Sequence, residues 1–298
     1  MKGILAATIV ASFFAVGSSH AADMTRPVYK APVAVAAPVS SWTGFYIGGN
    51  AGYSWSNSNA INSRSVAGDC DPLVGGCGVG VGFDPNFSEL SALAATGNVG
   101  GKLDGFIGGG QLGYNWQVQN VVWGLEADIM WMNGKGSGAY FKSVTTAGAP
   151  ANPIETDFAA SRSLDWLGTA RARAGFLATP NALVFVTGGL AYGGAKLNAS
   201  YIQSCVGCVG TGGDASAAVS ASDTLVGWTI GGGAEWLIAP NWTVKAEYLY
   251  YDLGDLSVTT TIPGRDAAGI RPFAESSPTA SARFDGHIVR AGLNYKFN

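Results

Sequence analysis

Ionised side chains are scarce. Asp, Glu, Lys and Arg make up 12% of the 298 residues, about half the share of an ordinary soluble domain. A formal net charge of −3 provides no basic surface, which argues against a nucleic-acid partner. Histidine occurs only twice. His20 lies in the N-terminal segment, so His287 alone remains for acid–base work. Beyond Val16 there is no apolar run of the ~20 residues that a spanning helix needs. If the exported chain enters a bilayer, it crosses as strands.

The N-terminal run Ile4–Val16 follows Lys2 and ends in small residues, Ser19 and Ala21 around His20. That is the pattern of a secretory signal, predicted over residues 1–22 with cleavage after Ala21 or Ala22. Residues 23–41, DMTRPVYKAPVAVAAPVSS, are rich in Pro, Ala and Val and carry no helix or strand period. They read as an extended tether. The third segment is 42–298.

What the chain has in quantity is glycine, 44 residues, and aromatic rings, 11%. Both are concentrated in WTGFYIGGNAGYSW, residues 42–55. Taken alternately, Phe45, Ile47, Ala51, Tyr53 and Trp55 fall on one face; Tyr46, Gly48, Asn50 and Ser54 fall on the other. Segments of the same kind recur at Gly105–Val118, Val121–Asn133, Ser163–Thr179, Leu183–Asn198, Thr224–Ile238, Trp242–Val258 and Arg283–Phe297. With Trp42–Trp55 they make eight expected strands, each long enough to cross a tilted bilayer path. Their connections alternate. Gln119-Asn120, Pro180-Asn181 and Ala239-Pro240-Asn241 are tight turns, whereas 56–104, 134–162, 199–223 and 259–282 read as long loops of small residues. The fold class this predicts is all-β, an eight-stranded antiparallel up-and-down transmembrane barrel with short periplasmic turns and long extracellular loops.

Which face meets lipid follows from the rings. Trp42, Trp55, Trp116, Trp123, Trp131, Trp166, Trp236 and Trp242 sit near strand ends, as an interfacial girdle requires. A charge on the lipid face costs about 2–4 kcal/mol at the midplane, so the charged positions turn inward. Eight strands enclose a bore that side chains nearly fill. Glu126, Asp128, Arg171, Arg173, Glu235, Lys245, Glu247 and Arg290 are therefore expected in the lumen. They form either a structural ion-pair network or the lining of a narrow ion path.

Two motifs carry weaker signals. Gly108-x-Gly110-x-x-Gly113 matches the dinucleotide fingerprint, but it runs on into Tyr114-Asn115-Trp116 as strand and no helix follows to hold a pyrophosphate. No cofactor or metal is expected. Cys70 with Cys77 and Cys205 with Cys208 form two close pairs in expected loops. Local disulfides suit an exported chain; a shared metal site, cross-loop pairing and free thiols are the alternatives.

SWTGFYIGGNAGYSW, GGGQLGYNWQ, LGTARARAGF and the closing VRAGLNYKF together resemble the outer-membrane immunogenic proteins, small opacity-type surface barrels of Gram-negative bacteria. The resemblance covers Trp42 to Phe297. It implies an outer-membrane location among lipid and lipopolysaccharide, and insertion by the barrel-assembly machinery. The family's strand-final insertion signal maps onto Arg290, Gly292, Tyr295 and Phe297, with Asn298 departing from the usual aromatic end. No peptidoglycan-binding domain is expected after the barrel. Some eight-stranded barrels are lipid A-modifying enzymes that set a His beside a Ser or an acid. Here Asp285 is two residues from His287 and Ser281 is further off, so a rim histidine and a non-enzymatic protein are expected. The functions weighed are a structural surface protein that displays its loops, porin-like passage, and haem or host-factor binding by the loops.

Overall fold

The computed structural model describes residues 41–68, 87–145, 153–205, 214–265 and 272–297. Eight long strands form the wall: β1 (Gly44–Ser56), β4 (Gly105–Val118), β5 (Val121–Val144), β6 (Ile154–Thr179), β7 (Ala182–Cys205), β8 (Ala215–Ala239), β9 (Trp242–Thr259) and β11 (Pro272–Lys296). Each pairs antiparallel with the next, and β1 closes onto β11 through Ala51 opposite Ala291. The reversals at 119–120, 180–181 and 240–241 join β4–β5, β6–β7 and β8–β9; Gln119 adopts a φ of 56° to make the first. A barrel results because the strand pairing returns to its start, which removes the free edges in the membrane.

The facing is that of a membrane barrel. Leu125 is 56% exposed, Trp131 64% and Val186 66%, on the outside. Glu126, Arg171 and Lys245, on the opposite face of the same strands or their neighbours, are at most 4% exposed. Rings mark two levels. Phe45, Trp116, Trp123, Phe176, Trp236, Trp242 and Tyr295 encircle the end with tight turns; Tyr53, Phe106, Trp131 and Trp228 stand at the other. Trp42 departs from the girdle expected of it. It is 3% exposed, packs with Val122 and Leu183 inside the periplasmic mouth, and donates its indole N–H to the Pro180 carbonyl at 3.2 Å.

The stretches read as loops are the main correction. Most of 134–162, 199–223 and 259–282 is strand, so β5 to β8 run for 24, 26, 24 and 25 residues. The apolar band needs only about 9–11 residues of strand, and the surplus rises above the outer ring of aromatics. There the facing inverts. Phe158, Leu197 and Tyr201 point inward and are buried, while Ser161, Asn198 and Lys196 point outward. That is the pattern of a sheet in water.

The connection from β1 to β4 completes this upper part. β2 (Ala60–Ala67) pairs with β11, β3 (Gly97–Gly100) pairs with β2, and β10 (Ile262–Arg265) pairs with β11. The helix α1 (Phe87–Ala95) lies between β2 and β3 in the chain and buries Ala92, Ala94 and Ala95. Lys142 closes its C-terminal end, its ammonium donating to the carbonyls of Leu93 at 2.7 Å and Thr96 at 2.8 Å. The chain after β3 crosses β5 so closely that a Cβ at Gly136 or Gly138 would meet the carbonyls of Lys102 and Gly100 well inside contact distance. Glycine is required there because the approaching atoms are backbone.

Candidate functional site

The bore is layered, and each layer follows from which residues occupy successive inward positions along the strands. Reading β5 upward gives Val122, Gly124, Glu126, Asp128 and Met130; β6, which runs the other way, gives Arg173, Arg171, Thr169, Leu167 and Leu164. Val122 and Leu183 close the periplasmic end around Trp42. Above them lies an ionic layer, and directly above that an apolar one of Ile107, Met130, Leu167, Leu249 and Ile288.

Glu126 is the centre of the ionic layer. Lys245 donates to both its oxygens at 2.8 Å, Arg171 pairs with it through Nη2, Tyr46 donates its hydroxyl at 2.6 Å, and Arg173 and Arg290 stand at 3.6 and 3.5 Å. Arg171 continues to Asp128 and Glu247, each at 2.8 Å. Arg290 reaches Asp128 at 2.9 Å and Glu247 at 2.6 Å. Arg173 pairs with Glu235 at 2.7 Å and stacks over Phe185, 4.4 Å from the ring centre. The eight charged residues singled out in the sequence are thus gathered into one connected lattice. Glu126, Asp128, Glu235 and Glu247 balance Arg171, Arg173, Lys245 and Arg290, so the layer is neutral as a whole.

Uncharged residues extend the lattice; the sequence places Asn50 and Asn294 on the inward face of their strands, and Gln111 and Thr243 were passed over. Thr243 and Asn294 donate to Glu235 at 2.6 and 3.0 Å, Gln111 donates to Asn294 at 2.5 Å, and Asn50 donates to Gln111 at 3.1 Å. Thr243 shares the phase of Lys245 and Glu247, which is the signal that could have found it.

A second polar knot lies above the apolar layer. Arg162, 1% exposed, donates Nε to the Gly101 carbonyl at 2.7 Å and Nη1 to the Arg283 carbonyl at 2.5 Å, and Nη2 to the carbonyl of Ser58. It ties β6 to β11 and to both ends of the β2–β3 excursion. Near it Asp285 accepts from the Asn57 side chain and the Ser58 amide, each at 3.0 Å. Burial alone would push this carboxyl up; those bonds and Arg283 outweigh it and hold it below the usual carboxylate range. At the top, the Ser91 hydroxyl of α1 bonds Gln203 at 2.7 Å and Ser276 at 2.8 Å, and Gln203 donates to Thr156 at 2.9 Å.

His287 faces outward in the upper ring of aromatics. Its Nδ1 lies 2.7 Å from the Tyr248 hydroxyl, and its ring stacks on Trp55 with centroids 5.5 Å apart. Asp285 turns the other way, to Asn57 and Ser58. Gly108, Gly110 and Gly113 lie within β4. Tyr295 and Phe297 stand in the lower ring, 5.2 Å apart, with Arg290 in the bore and Gly292 between them on β11. Cys205 ends β7. Cys70, Cys77 and Cys208 lie outside the described residues, as do Asn298, the expected signal and nearly all of the expected tether.

Residues 10–297 match the model of the outer membrane protein beta-barrel domain family. The chain is 36% identical, over an alignment of 306 positions that spans all of both chains, to the 31 kDa outer-membrane immunogenic proteins of Brucella melitensis biotype 1 and Brucella suis biovar 1. To the 22 kDa outer membrane protein of Rhizobium leguminosarum bv. viciae it is 26% identical over 303 residues, 99% of each chain. The outward apolar wall and the full-length match agree, and the chain belongs to the outer membrane protein beta-barrel family, resident in the outer membrane of a Gram-negative bacterium.

Proposed function

We propose that the protein is a non-conducting, non-enzymatic surface barrel that contributes to envelope integrity and holds a folded β-module above the outer leaflet. The observation that carries this reading is the layered bore. A neutral ion-pair lattice fills one level, and an apolar level of Ile107, Met130, Leu167, Leu249 and Ile288 lies directly above it. An ion entering the lattice finds each fixed charge already paired with an opposite one 2.6–2.9 Å away, and then meets hydrocarbon. Passage of small solutes or ions, the alternative reading for such a barrel, needs a hydrated path that side chains do not fill. The module above the membrane is rigid because it has its own apolar core of Phe158, Leu197, Tyr201, Ile61 and Val99. Recognition by that module, including of haem or a host protein, would be carried by its outer surface, since loops and rims on a rigid scaffold are where specificity resides.

Planar-bilayer recording on the purified mature chain tests the reading. The expected result is no stable conductance step. Steps abolished by Arg171→Ala or Glu126→Ala would instead assign transport to the bore.

A further inference from the structure

Where the wall leaves the apolar band, its outer surface is charged unevenly. On β5–β7, Lys135, Ser163 and Lys196 stand directly opposite one another in a single rung, and both lysines are exposed. Facing residues on neighbouring strands are about 4.8 Å apart, so the two lysine backbones are separated by about 10 Å with Ser163 between them. This rung lies just above the paired rings Trp131 and Trp166, with Tyr192 packed edge-on against Trp166 at 5.9 Å. Its depth is therefore that of the lipid headgroups. Asp165, 2.6 Å from Lys196, is the one carboxylate that forms an ion pair with the rung among the described residues, so two ammonium groups share one paired carboxylate.

The opposite side of the rim has the reverse sign. Around β9 and β11, Arg283 faces Asp252 at 2.6 Å and Asp255 at 3.6 Å, one guanidinium to two carboxylates.

Above the lysine rung, the β5–β8 face is uncharged for two rungs. Ser137, Ser161, Asn198 and Ser220 form one; Ala139, Ala159, Ser200 and Ala218 form the next. They floor an open trough of ≈ 710 Å³. Below the rung, towards the bilayer centre, Ala127, Ala170, Ala172 and Gly188 leave a shallow strip in the lipid-facing surface. From the bilayer outward, one face thus presents a smooth apolar strip, an aromatic ring, two cations and a hydroxyl- and amide-bearing hollow.

We propose that the β5–β7 face is a binding site for one lipopolysaccharide molecule of the outer leaflet. Phosphate on its glucosamine headgroup bridges Lys135 and Lys196 by charge-assisted hydrogen bonds, its inner sugars lie in the Ser/Asn trough, and its acyl chains run down the alanine strip. The order of chemistry along the face matches the order along that lipid, and the acidic β9–β11 rim repels it. A phospholipid would use the cations and leave the trough unoccupied. A free phosphate would use neither the strip nor the trough.

Binding of intact lipopolysaccharide to the full mature chain in zwitterionic detergent, followed by native mass spectrometry, tests this. The comparison is among wild type, Lys135→Glu with Lys196→Glu, and Arg64→Glu, a cation exposed on β2. All three should keep the compact band of unheated barrel on a gel, because the substituted side chains lie on the outer surface. The double variant is expected to lose about tenfold or more in affinity, and Arg64→Glu to lose none. Dephosphorylated lipopolysaccharide should bind wild type as weakly as intact lipid binds the double variant. Equal binding of intact lipid to wild type and double variant would overturn the site. So would binding of a phosphatidylglycerol or of inorganic phosphate as tight as that of lipopolysaccharide.

Discussion

Glu126 shows how the bore works at the scale of one side chain. It accepts from Lys245, Arg171 and Tyr46, so its loss would leave two buried cations facing each other. Breaking a buried pair by removing one partner costs about 3–5 kcal/mol, mainly from the charge left unpaired. Glu126→Gln should therefore lower the urea midpoint of the detergent-solubilised barrel by a large margin. Glu126→Gln combined with Lys245→Met, which restores neutrality, should recover much of it. Urea titrations followed by tryptophan fluorescence would measure both, and equal midpoints for the single and double variants would argue that the lattice is not coupled. The charges themselves were legible in the sequence because Glu126, Arg171, Lys245 and Arg290 alternate with apolar residues. Gln111 was less so, because the inward face of β4 carries no charge to mark its phase. Trp42 was misread because proximity to a strand end does not distinguish a ring in the interface from one folded into the mouth.

At the scale of the element, the eight strands and their tight turns could be read from the sequence, and the outer halves of the strands could not. The reason is amplitude. In the membrane a lipid-facing Leu or Trp alternates with a charge, whereas above it Ser and Ala alternate with Ala and Val on β8 (Ser216, Ala218, Ser220 and Ser222 against Ala217, Val219 and Ala221). Small side chains on both faces give a period-2 signal too shallow to separate from a loop. The β2–β3 excursion was hidden for a different cause. It is held by long-range contacts, Arg162 to three carbonyls and β3 against Gly136 and Gly138, and local pattern carries no trace of these. The same contacts make the excursion separable from the barrel. Gly138→Val would drive a side chain into the Gly100 carbonyl and the Val99 side chain. The expected result is rapid proteolysis between residues 57 and 104, with the membrane barrel still resistant and still migrating as a compact band before heating. Proteolysis and band shift lost together would show that the two parts fold as one unit.

Across the whole molecule, a single sequence of strands serves two solvents, and the bore changes character where they meet. In the membrane the wall is apolar outside and ionic inside; above it the wall is polar outside and apolar inside. The apolar level of Met130, Leu167, Leu249 and Ile288 belongs to both regimes, since it caps the ion-pair lattice and begins the core of the upper module. Two seals in series make a specific forecast. Arg171→Ala with Glu247→Ala removes one cation and one anion, leaving the lattice neutral but hollow. Met130→Ala with Leu249→Ala opens the apolar level, at about 2–5 kcal/mol for each truncation. Either pair alone should leave the bilayer silent, because the remaining level still blocks ions by pairing or by excluding water. All four substitutions together should give stable conductance steps. If the ionic pair of substitutions conducts by itself, the apolar level is no barrier, and closure of the bore rests on the charges alone.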